Sequence, residues 1–130
     1  MKATGKPLRG ARVLVAEDEP LLAWDIMKEL LQAGADVVGP AMSVGRALEL
    51  AEKENLSCGL LDVQLRDGPV FPAAEVLRQK GAGIVFHTGR VGFEELKRDW
   101  PGAKVVMKPA SFCQIIEAMT CVCACQRGAA

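Results

Sequence analysis

Residues 13–20 read Val-Leu-Val-Ala-Glu-Asp-Glu-Pro, four apolar residues followed directly by three acids and a proline. A short apolar run without alternation is typical of a parallel strand that is buried on both faces. Pro20 suits the first turn of a helix, where its missing N–H costs nothing. The stretch therefore predicts a strand, an acidic loop and the start of a helix.

The same succession of a short apolar run and a segment with helical periodicity recurs along the chain. The five predicted strands are residues 13–16, 37–39, 59–61, 84–86 and 105–107. Ser43 and Ser111 are placed to cap the second and fifth helices, and Gly34 and Gly81 fall where the first and third should end. The sequence predicts an α/β domain of five βα units, with helices on both faces of a parallel sheet.

Length and composition restrict the class of protein. The 130 residues suit one domain, and we expect a flexible leader at 1–10, the domain at 11–125 and a C-terminal tail at 126–130. Because Lys+Arg and Asp+Glu number 16 each, no basic field favours nucleic acid. No apolar run approaches the about 20 residues that span a membrane. We expect a cytoplasmic domain with no membrane or nucleic-acid partner and no effector domain.

The cysteines predict no disulfide framework, because five is an odd number and nothing points to an extracellular setting. Three of them form a Cys-x-Cys-x-Cys tail at Cys121, Cys123 and Cys125. On a helix the middle one points away from the other two, which is poor geometry for one metal ion. Packing as small apolar side chains is the favoured interpretation, and a redox or metal function is the alternative.

Polar residues follow the apolar runs at the carboxyl ends of four predicted strands. Glu17 and Asp18 follow the first, Asp62 the third, Thr88 the fourth and Lys108 the fifth. Ligands of open α/β sheets bind beyond this edge. Carboxylates gathered there repel one another unless a cation neutralises them, and Mg²⁺ suits acids combined with phosphate oxygens. The pattern predicts a Mg²⁺ site that handles phosphate.

Each residue type indicates a role in phosphoryl transfer. Asp62, central in the sheet, is the candidate nucleophile and phosphoacceptor, since carboxylates form aspartyl phosphates. Asp18 would bind Mg²⁺ directly, and Glu17, one methylene longer, could do so through water. Lys108 offers a flexible positive charge and Thr88 a hydroxyl for the phosphoryl oxygens. The alternative for any single acid is a helix cap or a solvated loop.

These residues resemble the receiver domain of two-component response regulators. The matching segments are residues 15–20, 60–65, 67–68, 86–89 and 107–109. The resemblance implies a flavodoxin-like three-layer fold of strand order 2-1-3-4-5. It implies phosphorylation of Asp62 by a histidine kinase or a histidine phosphotransfer protein, and a Mg²⁺ site that includes the backbone carbonyl of Gln64. It also implies a downstream protein partner and a homodimer face on helix 4, strand 5 and helix 5.

The chain departs from the usual receiver pattern at three places. Val105 stands where many receivers carry a switch aromatic on the fifth strand, and Ala110-Ser111 replaces an aromatic and an acid. The run Phe86-His87-Thr88-Gly89 is similar to the Phe-Ala-Thr-Gly signature of a mostly stand-alone receiver subgroup. His87 neighbours Thr88 on a strand and should point to the opposite face, which favours packing over catalysis.

Gln64 and Arg90 stand two residues beyond Asp62 and Thr88. We expect them to rim the site and to modulate hydrolysis of the acyl phosphate; solvated loop positions are the alternative. A Mg²⁺-dependent aspartyl-phosphate phosphohydrolase is the alternative function, although Gln64 stands where such an enzyme needs a second acid. A flavodoxin-like FMN carrier is disfavoured because Glu17 and its acidic neighbours would repel the cofactor's phosphate. The favoured function is a signalling phosphoacceptor rather than an enzyme that turns over substrate.

Overall fold

A computed structural model describes residues 6–89 and 92–128 of the protein. Its strands are β1 (Arg12–Ala16), β2 (Asp36–Ala41), β3 (Cys58–Asp62), β4 (Gln64–Leu65), β5 (Gly68–Pro69), β6 (Gly83–Thr88) and β7 (Lys104–Met107). Its helices are α1 (Pro20–Gln32), α2 (Val44–Lys53), α3 (Phe71–Gln79), α4 (Phe93–Asp99) and α5 (Phe112–Gly128).

The five longer strands form one parallel sheet of order β2-β1-β3-β6-β7. With the two short strands set aside, this is the order 2-1-3-4-5, so the predicted flavodoxin-like α/β fold is confirmed. The short strands β4 and β5 pair with each other as a small antiparallel hairpin, which the apolar pattern did not indicate. The sheet places β3, which carries Asp62, at its centre.

Helices cover both faces of the sheet. Ile26 of α1 and Ile115 of α5 lie in one apolar cluster with Val13 and Leu60. Leu50 of α2, Leu77 of α3 and Leu96 of α4 lie in the other, and every residue of β3 is buried between the two. Apolar burial of this kind is the main stabilising contribution to a fold of this size. Among the described helices, none has the length and apolar character that a bilayer crossing requires.

Both serine caps are present. The hydroxyl of Ser43 accepts a hydrogen bond from the backbone N–H of Arg46 at 3.1 Å. Ser111 accepts one from the N–H of Gln114 at 3.1 Å, and the Gln114 side chain accepts one from the Ser111 N–H at 2.9 Å. This reciprocal pair satisfies two N–H groups that the helix itself cannot. The start of α5, four residues after Lys108, is therefore well defined.

Residues 6–10 differ from the predicted flexible leader. Leu8 is fully buried, and its N–H donates to the carbonyl of Ala33 at 2.8 Å. The apolar side chain of Leu8 fills space under the end of α1. The polar residues around it in the sequence gave no indication of this contact. At the other end α5 continues to Gly128, so helix also occupies 126–128 of the predicted tail. The outer residues 1–5 and 129–130 lie outside the described residues.

One disulfide joins Cys58, the first residue of β3, to Cys123 of α5. The expectation that the cysteines form no disulfide was therefore wrong for this pair. The two residues are 65 positions apart, and they meet only because α5 packs against β3. Cys113 and Cys121 are exposed free thiols, and the side chain of Cys125 lies outside the described part.

Candidate functional site

The acidic residues meet at the carboxyl edge of the sheet because β1 and β3 are hydrogen-bonded neighbours, with Ala16 opposite Leu61. Glu17, Asp18 and Asp62 each present a carboxylate oxygen, and these three atoms lie within 4.8 Å of one another. Glu17 is 2% and Asp62 7% exposed, whereas Asp18 is half-buried. The strands thus bring the three predicted acids together at one edge of the sheet.

Lys108 reaches the same cluster from β7. Its ammonium donates a hydrogen bond to Oδ2 of Asp62 at 3.0 Å and lies 3.6 Å from Oε1 of Glu17. Its backbone N–H donates to the carbonyl of Thr88 at 2.6 Å, which ties the lysine to the end of β6. A charge-assisted hydrogen bond of this kind fixes the ammonium on the central carboxylate.

Thr88 ends β6, the strand beside β3, and is 5% exposed. Its register position is one beyond that of His87, which pairs with Asp62. The structure therefore places the threonine at the same sheet edge as the acids and the lysine. Its contact with a phosphoryl group stays a prediction.

The electrostatics of the cluster are those of crowded acids beside one cation. Burial, followed by the negative charge of Asp62, raises the pKa of Glu17 to about 7, although the Glu19 N–H and Lys108 act in the opposite direction. Burial acts to lower the pKa of Lys108, but its hydrogen bond and charge interaction with Asp62 outweigh burial and raise it. Lys108 is thus held in its charged form, whereas Glu17 gains a proton near neutrality.

His87 pairs in register with Asp62 and lines a pocket together with Glu19 and Lys108. It is 3% exposed, and within the described residues neither ring nitrogen has a hydrogen-bond partner. Burial, followed by the charge of Lys108, lowers the pKa of His87 to about 4. The imidazole is therefore neutral at pH 7.

Of the predicted modulating and switch residues, the structure describes Gln64 and Val105. Gln64 is exposed on β4, at the rim of the site, and its proposed tuning and metal-binding roles stay predictions. Arg90 lies outside the described residues. Val105 is half-buried on β7 and packs against the apolar cluster that contains Phe86, so a small side chain fills the position of the usual aromatic.

Sequence reasoning missed Arg66 and the role of Asp67. The guanidinium of Arg66 donates to the backbone carbonyl of Asp18 at 3.3 Å, and Oδ1 of Asp67 accepts from the N–H of Val44 at 2.7 Å. Both lie between β4 and β5, so this short hairpin is connected to the acidic loop and to the start of α2. The charged pair directly after Gln64 and Leu65 was the available signal, but only tertiary pairing shows its targets.

The donor set of the site fits a hard divalent cation. Its described side chains are carboxylates, and the ligands that Mg²⁺ prefers are oxygens. No cysteine or histidine lies among these three metal-ligating candidates, so softer ions have no preferred ligand in the group. Glu17, Asp18 and Asp62 therefore form a cluster that could bind a metal ion.

Known proteins resemble this chain in sequence and in structure. No family model matches it. The transcriptional regulatory protein PdtaR of Mycobacterium tuberculosis is 34% identical over 112 residues, which cover 83% of this chain and 54% of that protein. The response regulator PhyR of Brucella abortus superposes with a TM-score of 0.80 at 28% identity, covering 95% of this chain and 53% of that one.

The receiver domain of HemR from Leptospira biflexa superposes with a TM-score of 0.77 at 25% identity, covering 88% of this chain and 94% of that one. The chain spans about half the length of the curated relative and of PhyR. The matched HemR structure is that of a receiver domain. The resemblance to response regulator receivers found in the sequence is confirmed.

Proposed function

We propose that this chain, a receiver domain of the response-regulator type, accepts a phosphoryl group on Asp62 in a Mg²⁺-dependent reaction. The observation that carries the proposal is the ammonium of Lys108, 3.0 Å from Oδ2 of the one aspartate that shares an acidic cluster with Glu17 and Asp18. A nucleophilic carboxylate, a positive charge and a candidate cation site thus lie together. Phosphoryl transfer depends mainly on positioning and charge neutralisation, which such a site supplies.

In the proposed reaction, a carboxylate oxygen of Asp62 attacks the phosphorus of the donor. The bond between phosphorus and the leaving group breaks, and its electron pair departs with the leaving group. Lys108 moves from the free carboxylate to the phosphoryl oxygens, and the Thr88 hydroxyl donates to another of them. Mg²⁺, held by Glu17, Asp18, Asp62 and the Gln64 carbonyl, would supply further positive charge for those oxygens.

The proposed donor is a histidine kinase or a histidine phosphotransfer protein, as the resemblance implies. The product is an acyl phosphate on the chain itself, so the protein acts as a signalling switch in the cytoplasm rather than as an enzyme that turns over substrate. Phosphorylation shifts the populations of the β6–α4 and β7–α5 surfaces, which changes the affinity for a downstream partner.

A small phosphodonor tests the proposal without a kinase. The protein is incubated with acetyl phosphate and Mg²⁺, with an EDTA sample in parallel, and its intact mass is measured. We expect one acid-stable, base-labile phosphoryl group in the Mg²⁺ sample and a strong reduction with EDTA. Asp62→Asn should take up none, because the amide is a poor nucleophile.

Asp25→Asn is the matched control, because Asp25 is an exposed residue of α1. It should be phosphorylated like the wild type. An adduct that persists in Asp62→Asn would show that another residue accepts the phosphoryl group. A wild-type protein that stays unmodified in Mg²⁺ and acetyl phosphate would contradict the proposed function.

A further inference from the structure

Each end of β3 is joined to α5 or to the segment that leads into it. At the carboxyl end of β3, Asp62 binds the ammonium of Lys108, four residues before α5 begins. At the opposite end, Cys58 is disulfide-bonded to Cys123 of α5, with Cα atoms 6.1 Å apart. The strand that carries the phosphoacceptor is therefore tied by an ion pair to the segment that leads into α5, and by a covalent bond, remote from the site, to α5 itself.

The covalent tie lies within the apolar core. Cys58 and Cys123 are both 0% exposed and share a cluster with Met119 and Val122 of α5. Cys113 and Cys121 of the same helix are exposed and free. The chain thus carries a buried cysteine pair together with free thiols that serve as an internal reference.

Contacts other than the disulfide also hold α5 on the sheet. A Cβ added at Gly83 of β6 would lie 2.8 Å from the Cβ of Val122, so helix and strand approach one another more closely than a larger residue allows. Ile115 and Met119 are buried as well. These contacts keep α5 docked when the disulfide is open, so the fold does not depend on it.

One side of this half of α5 is not packed against protein. A cleft of about 530 Å³ that opens to solvent lies beside it, and its lining includes Gly81, Trp100, Cys121 and Val122. Because fewer protein contacts hold the helix on that side, its displacement meets less resistance there. Opening the disulfide should therefore loosen the helix without detaching it.

We propose that Cys58 and Cys123 form a reversible thiol–disulfide switch that sets how firmly α5 is held on β3. To close it, a peroxide oxidises one thiol to a sulfenic acid and releases water; the second thiolate then attacks that sulfur, forming the S–S bond and releasing a second oxygen as water. To open it, a small dithiol attacks the disulfide, supplies two electrons and leaves as its own cyclic disulfide. Local opening of α5 gives both reagents access to the buried pair.

The switch also bears on Asp62, a consequence that rests on the proposed function. Lys108 must leave the Asp62 carboxylate to meet an incoming phosphoryl group, and it is connected to α5 by the three residues Pro109–Ser111. A disulfide that holds α5 against β3 favours the arrangement in which lysine and aspartate stay paired. The oxidised protein should therefore accept phosphoryl groups more slowly than the reduced one.

The first experiment compares the wild type in its two redox states. Alkylation followed by intact mass should label two more cysteines after dithiol treatment than after peroxide treatment. Reduction should lower the Tm by about 10 °C, because the disulfide closes a long loop in the unfolded chain, and should speed hydrogen exchange in α5. Cys58→Ala should remove the redox dependence of the Tm, whereas Cys121→Ala should retain it.

The second experiment measures the rate of labelling by acetyl phosphate and Mg²⁺ in both states. We expect the oxidised protein to be about fivefold slower, at the lower end of typical couplings between sites. Equal rates would overturn the link to Asp62, and equal Tm values or equal alkylation would overturn the switch itself. If neither state is labelled, the proposed function fails, while the Tm and alkylation still decide whether the switch exists.

Discussion

The ammonium of Lys108 lies 3.0 Å from Oδ2 of Asp62 and 3.6 Å from Oε1 of Glu17, although the lysine is 46 positions from the aspartate. Two buried acids and a half-buried one would otherwise repel one another at this edge. When no cation is bound, the ammonium of Lys108 supplies the positive charge that offsets these carboxylates. Its position therefore affects both the stability of the metal-free protein and its reactivity.

Lys108→Met should slow phosphorylation of Asp62 by about 100-fold, since one charged partner of the transferring group is lost. The metal-free variant should also lose about 2 kcal/mol of stability, because the acids lose their cation. Labelling kinetics with acetyl phosphate and urea unfolding in EDTA measure the two effects. Lys104→Met, at an exposed position of β7, is the control and should change neither. An unaltered labelling rate in Lys108→Met would contradict the assigned role.

Glu17→Gln should change the pH dependence of stability in EDTA. The pKa of Glu17 is raised to about 7 from an ordinary value of 4.5, so between these values the folded state binds more protons than the unfolded one. The contribution of Glu17 to the stability of the wild type is therefore fully present below pH 4.5. It is lost as the pH rises through 7, and the loss is about 3 kcal/mol. The glutamine variant lacks this loss.

Urea unfolding at pH 5 and pH 8 tests this. The stability of Glu17→Gln relative to the wild type should increase at the higher pH. Glu52→Gln, at an exposed position of α2, should follow the wild type. If the stability of Glu17→Gln relative to the wild type is the same at both pH values, the pKa of the Glu17 carboxyl is not raised as described.

His87→Leu should remove a pH effect of the opposite sign. Because the pKa of His87 falls from 6.5 to about 4, the unfolded state binds more protons between these values. The contribution of His87 to the stability of the fold is fully present above pH 6.5 and is lost as the pH falls. At pH 5 the loss is about 2 kcal/mol. The variant, which also removes two unpaired buried nitrogens, should thus be stabilised relative to the wild type more at pH 5 than at pH 8.

The chain contains one histidine, so this substitution removes all histidine titration. Chemical unfolding of His87→Leu and the wild type across pH 4.5–8 measures the difference. Parallel stability curves for the two proteins would mean that the imidazole is protonated as easily in the folded as in the unfolded state.

Gly83→Ala should destabilise the fold by about 1–3 kcal/mol, a typical cost of overpacking. The added methyl group would meet the Cβ of Val122 at 2.8 Å and its carbonyl oxygen at 3.0 Å, so α5 has to shift away from β6. Gly102→Ala, where an added Cβ has no neighbour within 4 Å, is the matched control. Thermal unfolding of both variants measures the effect, and equal Tm values would contradict the close approach of α5.

The strands and helices were predictable because their signals are local. An uninterrupted apolar run such as 59–61 indicates a buried strand, and Ser43 or Ser111 before a periodic segment indicates a helix start. The site residues were predictable for a related reason, since the carboxyl ends of parallel strands share one edge. The burial of Leu8 was not predictable, because its partner Ala33 is distant in the sequence. The short hairpin was not predictable either, because its two-residue strands are too short to show an apolar pattern.

The sequence by itself determined the α/β architecture and the gathering of Glu17, Asp18, Asp62, Thr88 and Lys108 at one sheet edge, because both follow from the order of residues along neighbouring strands. The tertiary structure alone decided which groups interact: Lys108 with Asp62, Arg66 with the carbonyl of Asp18, and Cys58 with Cys123. It also decided that the His87 ring nitrogens have no hydrogen-bond partner among the residues that the structure describes. Such pairings depend on how helices pack against the sheet, and side-chain packing is set by three-dimensional contacts rather than by spacing along the chain.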